Sequence, residues 1–413
     1  MTEKMKPSGI AWIGDIPESW KTKKIKYYTE IVNGSTPDSS DFNCWDGPIK
    51  WITPADMDNT GIISEGERTL TQYGYNSCGT TMLPKGSVVI SSRAPIGKIN
   101  ITGDVLCTNQ GCKSLVGKAD NRYLYYLLLA GQEELVRLGR GTTFIELSTY
   151  DLANFGIVLP KITEQLTIAD FLDAQCAKID SVVADIEKQI ETLQKYKKSL
   201  ITETVTKGLD RSVPIKDSGV EWIGEIPKHW KTIPLKYLFS LYAGGDVNEY
   251  DFSDEQTEKY RYPIYSNSLE NCGLFGYTSK YRFSGNTFTV TGRGEVGKAV
   301  PRFDSYYPIV RLLACIPKSD ADNEFYAYCV NSADVLGDQT AMAQLTTQKL
   351  GMLVVPLPSA DEQKRISDYL NHQCKKADAV IEQKREQLRV IQQHKKSLIY
   401  EYVTGKKRVT EVN

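Results

Sequence analysis

With 413 residues, 41% of them apolar, the chain is long for one domain and has material for two globules, each with its own core. Lys and Arg number 50 against 51 Asp and Glu, a net charge of −1. That excludes adhesion to polyanions by overall charge, so contact with nucleic acid would need basic residues sorted onto one face. Nine cysteines without a Cys-x-x-Cys pair, and three histidines (His229, His372, His394) without a second ligand at metal spacing, exclude a disulfide framework and a structural zinc site.

In chain order, Met1–Lys6 carries no apolar leader, and the longest apolar run, around Tyr123–Ala130, is too short to cross a bilayer. A soluble, cytoplasmic protein without membrane contact is expected. Ser8-Gly-Ile-Ala-Trp-Ile-Gly-Asp-Ile-Pro-Glu-Ser-Trp-Lys-Thr22 follows; its four conserved-looking bulky positions with the second copy, Trp12 and Trp20 against Trp222 and Trp230, read as core. Ser87–Ser92 reads as a strand, with a turn and a second short strand from Lys98, and Asn121–Leu138 as a helix with a polar N-cap. After Leu159-Pro160 and Glu164-Gln165 comes a charged segment whose apolar positions step by three and four: Leu172, Cys176, Ile179, Val183, Ile186, Ile190, Leu193 and Leu200, with Lys197 in one register. This heptad seam predicts a helix from an N-cap near Thr163 to about Thr206, a rod of about 65 Å at 1.5 Å per residue.

The pattern then begins again. Ser218-Gly-Val-Glu-Trp-Ile-Gly-Glu-Ile-Pro-Lys-His-Trp-Lys-Thr232 repeats the opening, Thr287–Thr291 reads as a strand with another from Lys298, and Asp322–Val335 as a helix. Leu357-Pro358 and Glu362-Gln363 lead into a second seam, Leu370, Cys374, Ala377, Ile381, Lys384, Leu388, Ile391 and Leu398, with Lys395 in the odd register and a helix expected from Asp361 to Thr404. The opening recurs after 210 residues and the Leu-Pro pair after 198, so the second globule is 12 residues shorter. The frames match while the interiors differ, as expected of related domains with different specificities. Two matched seams in one chain predict an antiparallel helix pair, and the internal repeat predicts a near-two-fold object suited to two half-sites on duplex DNA.

Gly292-Arg-Gly-Glu-Val-Gly-Lys298 has the spacing of a phosphate-binding loop, but Ala299 stands where the Mg²⁺-binding hydroxyl belongs and Pro301 blocks the following helix. What both copies keep is an arginine and a lysine around one turn: Arg93 and Lys98, Arg293 and Lys298. Such a turn suits phosphate or base-edge contact. Further candidates for DNA are Lys50, Trp51 and Thr53, then Asn109, Gln110 and Lys113, and in the second copy Tyr265, Asn267, Tyr277 and Arg311. Asn and Gln can pair with adenine, Arg and Lys with guanine, and aromatic rings pack on sugars and thymine methyls. The stretch Tyr307–Ala314 keeps no Asn-Gln-Gly, so residues do not carry over from one globule to the other there. No nucleophile–base pair, adenine-methyltransferase motif or nuclease metal triad is legible in the sequence.

The doubled Gly-x-x-Trp-Ile-Gly-x-Ile-Pro-x-x-Trp, the Leu-Pro…Glu-Gln…Ile-(Ala/Ser)-Asp-(Phe/Tyr)-Leu stretches at 159–172 and 357–370, Thr108–Leu115, and Tyr262–Asn267 with Gly276-Tyr277 together resemble the specificity subunit of type I restriction–modification systems. The likeness spans essentially the whole chain. It implies an α+β fold with two mixed α/β target recognition domains, separated by two long helices that pair as an antiparallel coiled coil in an internal pseudo-two-fold repeat. The expected boundaries are 1–160 for the first recognition domain, 161–208 for the central helical spacer, 209–358 for the second recognition domain and 359–413 for the C-terminal spacer. It also implies a non-catalytic subunit that binds a bipartite duplex DNA target and recruits two modification (methyltransferase) subunits and, in systems that restrict, translocase/nuclease subunits. The subunit would hold no cofactor itself; S-adenosylmethionine, ATP and Mg²⁺ belong to the partner subunits. The residues alone also leave open a coiled-coil scaffold with two protein-binding globules. A fused enzyme is not expected, because the repeat frame occupies the chain from end to end.

Overall fold

A computed structural model describes residues 4–58, 61–93, 95–117, 120–141, 145–333 and 344–409. The chain forms two compact units, Met1–Ile186 with Glu386–Asn413, and Glu187–Arg385. Each unit joins one globule to one half of each long helix. Among the described residues no helix is long and apolar enough to cross a membrane.

The first globule is built on a sheet of β1 (Glu30–Asn33), β2 (Ile62–Ile63), β3 (Val88–Ser91), β4 (Ile99–Thr102) and β5 (Cys112–Val116), in the order β1-β5-β3-β4-β2. Only β2 runs parallel to its neighbour. Val88 and Ile90 point into the main core with Leu124, Leu127 and Leu128 of the helix Arg122–Ala130, while Val89 and Cys112 join a smaller cluster on the other face with Ile52, Met57 and Leu106. A strand buried on both faces has to be apolar throughout, which is why Val88-Val89-Ile90 shows no alternation. The second globule has β6 (Phe239–Ala243), β7 (Thr287–Thr291), β8 (Ala299–Arg302) and β9 (Leu312–Pro317) in the order β6-β9-β7-β8, all antiparallel. The four-strand order is therefore the same in both globules, and so is the register: Cys112 faces Ser91 as Leu312 faces Thr291.

The helix expected over Asn121–Leu138 is two helices, Arg122–Ala130 and Gln132–Arg137. They meet at Gly131, where a Cβ would stand 2.9 Å from the Trp12 indole and 3.1 Å from the Phe155 ring. The expected helix Asp322–Val335 runs Asn323–Ser332 with Asp322 as N-cap; its last two expected residues lie outside the described ones.

The long helices are α1 (Ile162–Lys207) and α2 (Ala360–Val403). Thr163 and Asp361 lie inside their first turns, not at the caps. Ser359 caps α2: Glu362 N donates to Ser359 Oγ and Ser359 N to Glu362 Oε2, both at 3.3 Å, a reciprocal capping box. In the first unit Ile168, Leu172 and Cys176 of α1 pack with Ile399 and Val403 of α2; in the second, Val205 and Leu200 of α1 pack with Ile366 and Leu370 of α2. In each unit, then, the start of one helix lies against the end of the other, so the pairing is antiparallel. The lysines that interrupt the seams are accounted for. Lys395 binds Asp180 in the first unit and Lys197 binds Asp378 in the second, each at 2.6 Å.

The repeated sequence motifs are the joints between globule and helix. Trp20 and Trp230, both 1% exposed, donate their indole N–H to Glu164 at 3.3 Å and Glu362 at 3.2 Å. Gln165 and Gln363, both buried, donate to the Pro160 and Pro358 carbonyls at 3.0 Å. The Gln165 oxygen accepts from Tyr28 Oη at 2.8 Å, and the Gln363 oxygen from Asp322 N at 2.9 Å. Replacing either glutamine by leucine strands two buried polar partners, and each of Gln165→Leu and Gln363→Leu is expected to lower stability by about 1–3 kcal/mol in urea denaturation.

Burial alone would raise the Glu362 carboxyl, but hydrogen bonds from His229, Trp230 and Ser359 outweigh it and hold the group below the usual 4.5. A carboxyl depressed in the folded state stabilises above its unfolded value and loses that contribution as pH falls through the folded one. Stability measured from pH 5 downward should accordingly fall more steeply in the parent protein than in Glu362→Gln, with parallel curves above pH 5.

Candidate nucleic-acid interface

Each globule gathers four chain segments at one edge of its sheet, held together mostly by backbone. The hairpin turn between β3 and β4 is closed by Gly97 N donating to Ser91 O at 2.9 Å, with Lys98 N donating to Ser91 Oγ at 2.8 Å. The turn between β7 and β8 repeats this with Gly297 N to Thr291 O at 2.8 Å and Lys298 N to Thr291 Oγ1 at 2.9 Å. The glycines have φ of +90° and +84°, values a side chain would strain. No helix follows Lys298; Ala299 opens β8, so the phosphate-loop spacing is a hairpin.

The neighbouring segments correspond as closely. Asn109 N donates to Ile52 O at 3.0 Å and Ile309 N to Tyr265 O at 2.9 Å; Leu147 N donates to Ser92 O at 2.9 Å and Leu345 N to Gly292 O at 3.1 Å. Asn109-Gln110-Gly111 thus has its structural counterpart in Ile309-Val310-Arg311, inside the stretch Tyr307–Ala314 that the sequence comparison sets against it. Arg311 takes a left-handed φ of +70°, unusual for a residue with a Cβ.

Within this shared frame the candidate side chains divide. Trp51 is core and not a stacking platform: it is 4% exposed, lies edge-on to Trp45 and donates to Ser35 O at 3.1 Å. Lys113 is buried in β5 and reaches Glu146 at 3.5 Å. Thr53 spends both its amide and its hydroxyl on Asp56, at 2.7 and 2.8 Å. Asn267 uses both ends of its amide internally, accepting from Gly292 N at 2.9 Å and donating to Val310 O at 3.3 Å. It fastens the Arg293 turn to the Arg311 turn. Asn109 Oδ1 accepts from Gly111 N at 2.9 Å. Tyr265 lies under the Arg302 guanidinium, 3.6 Å from its ring centre, and Tyr277 is half-buried with its backbone paired to Ser253. Gln110 is exposed and accepts from Thr36 Oγ1.

The charges differ between the globules. In the first, Arg93 pairs with Glu146 at 3.0 Å, Lys50 with Asp104 at 2.5 Å, and Lys98 donates to the Pro54 carbonyl at 3.0 Å. In the second, Arg293 and Lys298 are exposed and Arg311 is half-exposed. None of the three has an ion-pair partner among the described residues. Arg302 adds a buried guanidinium, donating to Thr289 Oγ1 at 3.0 Å and Cys272 O at 2.8 Å; burial pulls its pKa down.

Glu146 and Arg302 carried no sequence signal, since their partners are remote in the chain. Two exposed rings were also missed. Phe42 (88% exposed) and Tyr250 (93%) stand on short 3₁₀ turns capped by Asp41 and Asn248, each next after the globule's first sheet strand. The Asx caps were the available sign.

The family described as type I restriction modification DNA specificity domain matches residues 17–192 and 227–390. Among individual relatives, the type I restriction enzyme MjaIX specificity subunit of Methanocaldococcus jannaschii is 34% identical over 57% of this chain and 55% of its own length. The putative MjaX specificity subunit of the same organism is 27% identical over 96% of both chains. A chain solved in work on complex assembly and conformational transition of the type I R-M system aligns over 95% of this chain and 99% of its own, with a TM-score of 0.72 at 16% identity, a likeness of fold.

The division into core and rim is directly measurable. Trp51→Ala should cost about 3–5 kcal/mol in urea denaturation, whereas Arg293→Ala should stay within about 0.5 kcal/mol of the parent.

Proposed function

This chain belongs to the type I restriction–modification DNA specificity family, and we propose that it is the non-catalytic subunit that reads a bipartite duplex sequence, one half-site per globule. The observation that carries this reading is the repeated rim: the same four backbone-tied segments, closed by an Arg-and-Lys turn, recur in both globules with different side chains around them. A duplex is itself two-fold, so a chain with two like edges can meet two half-sites, about 34 Å apart when they lie one helical turn from each other. Affinity would come from cations on phosphates and specificity from the side chains that differ. In this proposal Arg93, Arg293, Lys98, Lys298, Arg311, Gln110 and Lys50 would meet DNA, while Trp51, Thr53, Asn109, Lys113, Tyr265, Asn267 and Tyr277 would shape the surface from behind.

The partners in this proposal are two modification (methyltransferase) subunits, with S-adenosylmethionine bound on them and not here, and restriction subunits with their ATP and Mg²⁺ where the system restricts. The paired helices would set the spacing between half-sites and offer a docking face for the modification subunits. The place of action is the cytoplasm.

Mapping methylated adenines in a methylation-free host that expresses this chain with its modification subunit tests the reading. A bipartite motif that is absent when the modification subunit is expressed alone is the expected result. A soluble co-purified complex that writes no motif would sink the proposal in favour of a protein-binding scaffold. In direct binding, Arg93→Ala and Arg293→Ala should each weaken affinity without unfolding, with the salt slope lower by about one for each phosphate contact removed. Inserting one heptad in register into both helices should lengthen the spacer and leave the half-site bases unchanged; altered bases would count against the helices as a ruler.

A further inference from the structure

In the first globule the turn arginine and a buried lysine of the sheet converge on one carboxylate. Arg93 Nε donates to Glu146 Oε2 at 3.0 Å, and Lys113 Nζ lies 3.5 Å from Oε1. The backbone fixes the carboxylate there. Glu146 and Arg140 exchange both backbone hydrogen bonds, at 2.9 and 3.0 Å, and the next residue, Leu147, is tied to Ser92 beside the arginine. In the second globule Leu345 makes the bond that Leu147 makes in the first. Gln344, just before it, therefore stands where Glu146 stands. The strand register places Leu313 where Lys113 is. One globule presents a carboxylate beside its turn arginine, and the other presents an amide.

The two groups treat DNA differently. A carboxylate repels phosphate, so at a DNA-facing edge it lowers non-specific affinity. It also only accepts hydrogen bonds. In the major groove cytosine and adenine offer an amine donor, whereas guanine offers O6 and N7 and thymine O4, acceptors that a carboxylate repels. Glutamine both donates and accepts and makes no such exclusion. The side chain of Glu146 is 33% exposed, open enough to reach a base edge. Arg93 beside it supplies the donors that suit guanine.

We propose that Glu146 is a specificity-determining residue of the first globule: it confines one position of that half-site to a base with an exocyclic amine, cytosine or adenine, and the second globule lacks this exclusion because it carries Gln344. The inference rests on the DNA-reading function proposed above.

The test uses the full chain in complex with its modification subunit and compares methylation motifs written by the parent, Glu146→Gln, Glu146→Asp and Gln344→Glu. Glu146→Gln is expected to make one position of one half-site degenerate, admitting guanine or thymine, with discrimination there reduced roughly ten-fold or more, the worth of one good base contact. The other half-site should stay as it was. Glu146→Asp keeps the carboxylate and should keep the restriction, while Gln344→Glu should narrow or weaken the opposite half-site. An unchanged motif in Glu146→Gln overturns the assignment, and so does a loss spread over both half-sites with a lowered unfolding midpoint, which would mark a structural role. A parent complex that writes no motif at all removes the DNA reading itself, and this assignment with it.

Discussion

Everything beyond the globules depends on two buried amides. Gln165 and Gln363 sit at the first turn of each long helix, donate to the preceding Pro carbonyl and accept from a group inside the globule. A buried amide is costly unless both ends are matched, so the helix leaves its globule in one direction only. The Trp20–Glu164 and Trp230–Glu362 bonds close the same joint from the other side. The Trp and Glu-Gln positions are among those the two copies share, and they fix how each helix leaves its globule.

The rod has a matching device. An apolar seam alone permits slippage by whole turns, because any leucine can replace another in a hole. Lys197–Asp378 and Lys395–Asp180 lie at corresponding points of the two units. Their side chains are partly solvated, with Lys 27–28% and Asp 53–57% exposed, so each pair contributes little energy. Their effect is on register, where a misplaced lysine would face an apolar seam without a counter-charge.

How much was legible follows from the range of the interactions. The seams were readable in outline: Leu172, Cys176, Ile186, Leu370, Cys374 and Ile381 are buried where the heptad placed them, the other seam positions are half-buried, and Val205, Ile399 and Val403 are buried outside it. The strands around Ile90 and Val290 were readable from β-branched runs bounded by turns. The edge was not. Asn267 looked like a base reader because an exposed amide would be one; its bonds to Gly292 and Val310, 25 and 43 residues away, make it a fastener. Trp51 reads as a ring for DNA in the sequence, but its indole lies inside a small separate cluster with Trp45 and Leu70. Arg93 was rightly placed on a turn, but its carboxylate lies 53 residues downstream. Periodicity reports faces, and it says nothing of which remote loop comes to rest beside a side chain.

The backbone bonding of the edge has an evolutionary consequence. Asn109 and Ile309, Leu147 and Leu345 hold their segments through main-chain N–H and C=O groups, which any non-proline residue supplies. Leu147 and Leu345 are also anchored by burial in the cores, whereas Asn109 and Ile309 keep the same main-chain bond with unlike side chains. Substitutions at the tips are cheap for the fold and consequential for what the fold touches. A lineage can therefore wander through new target sequences by point mutation without first crossing a valley of unfolded intermediates, while the joints stay fixed by their buried amides.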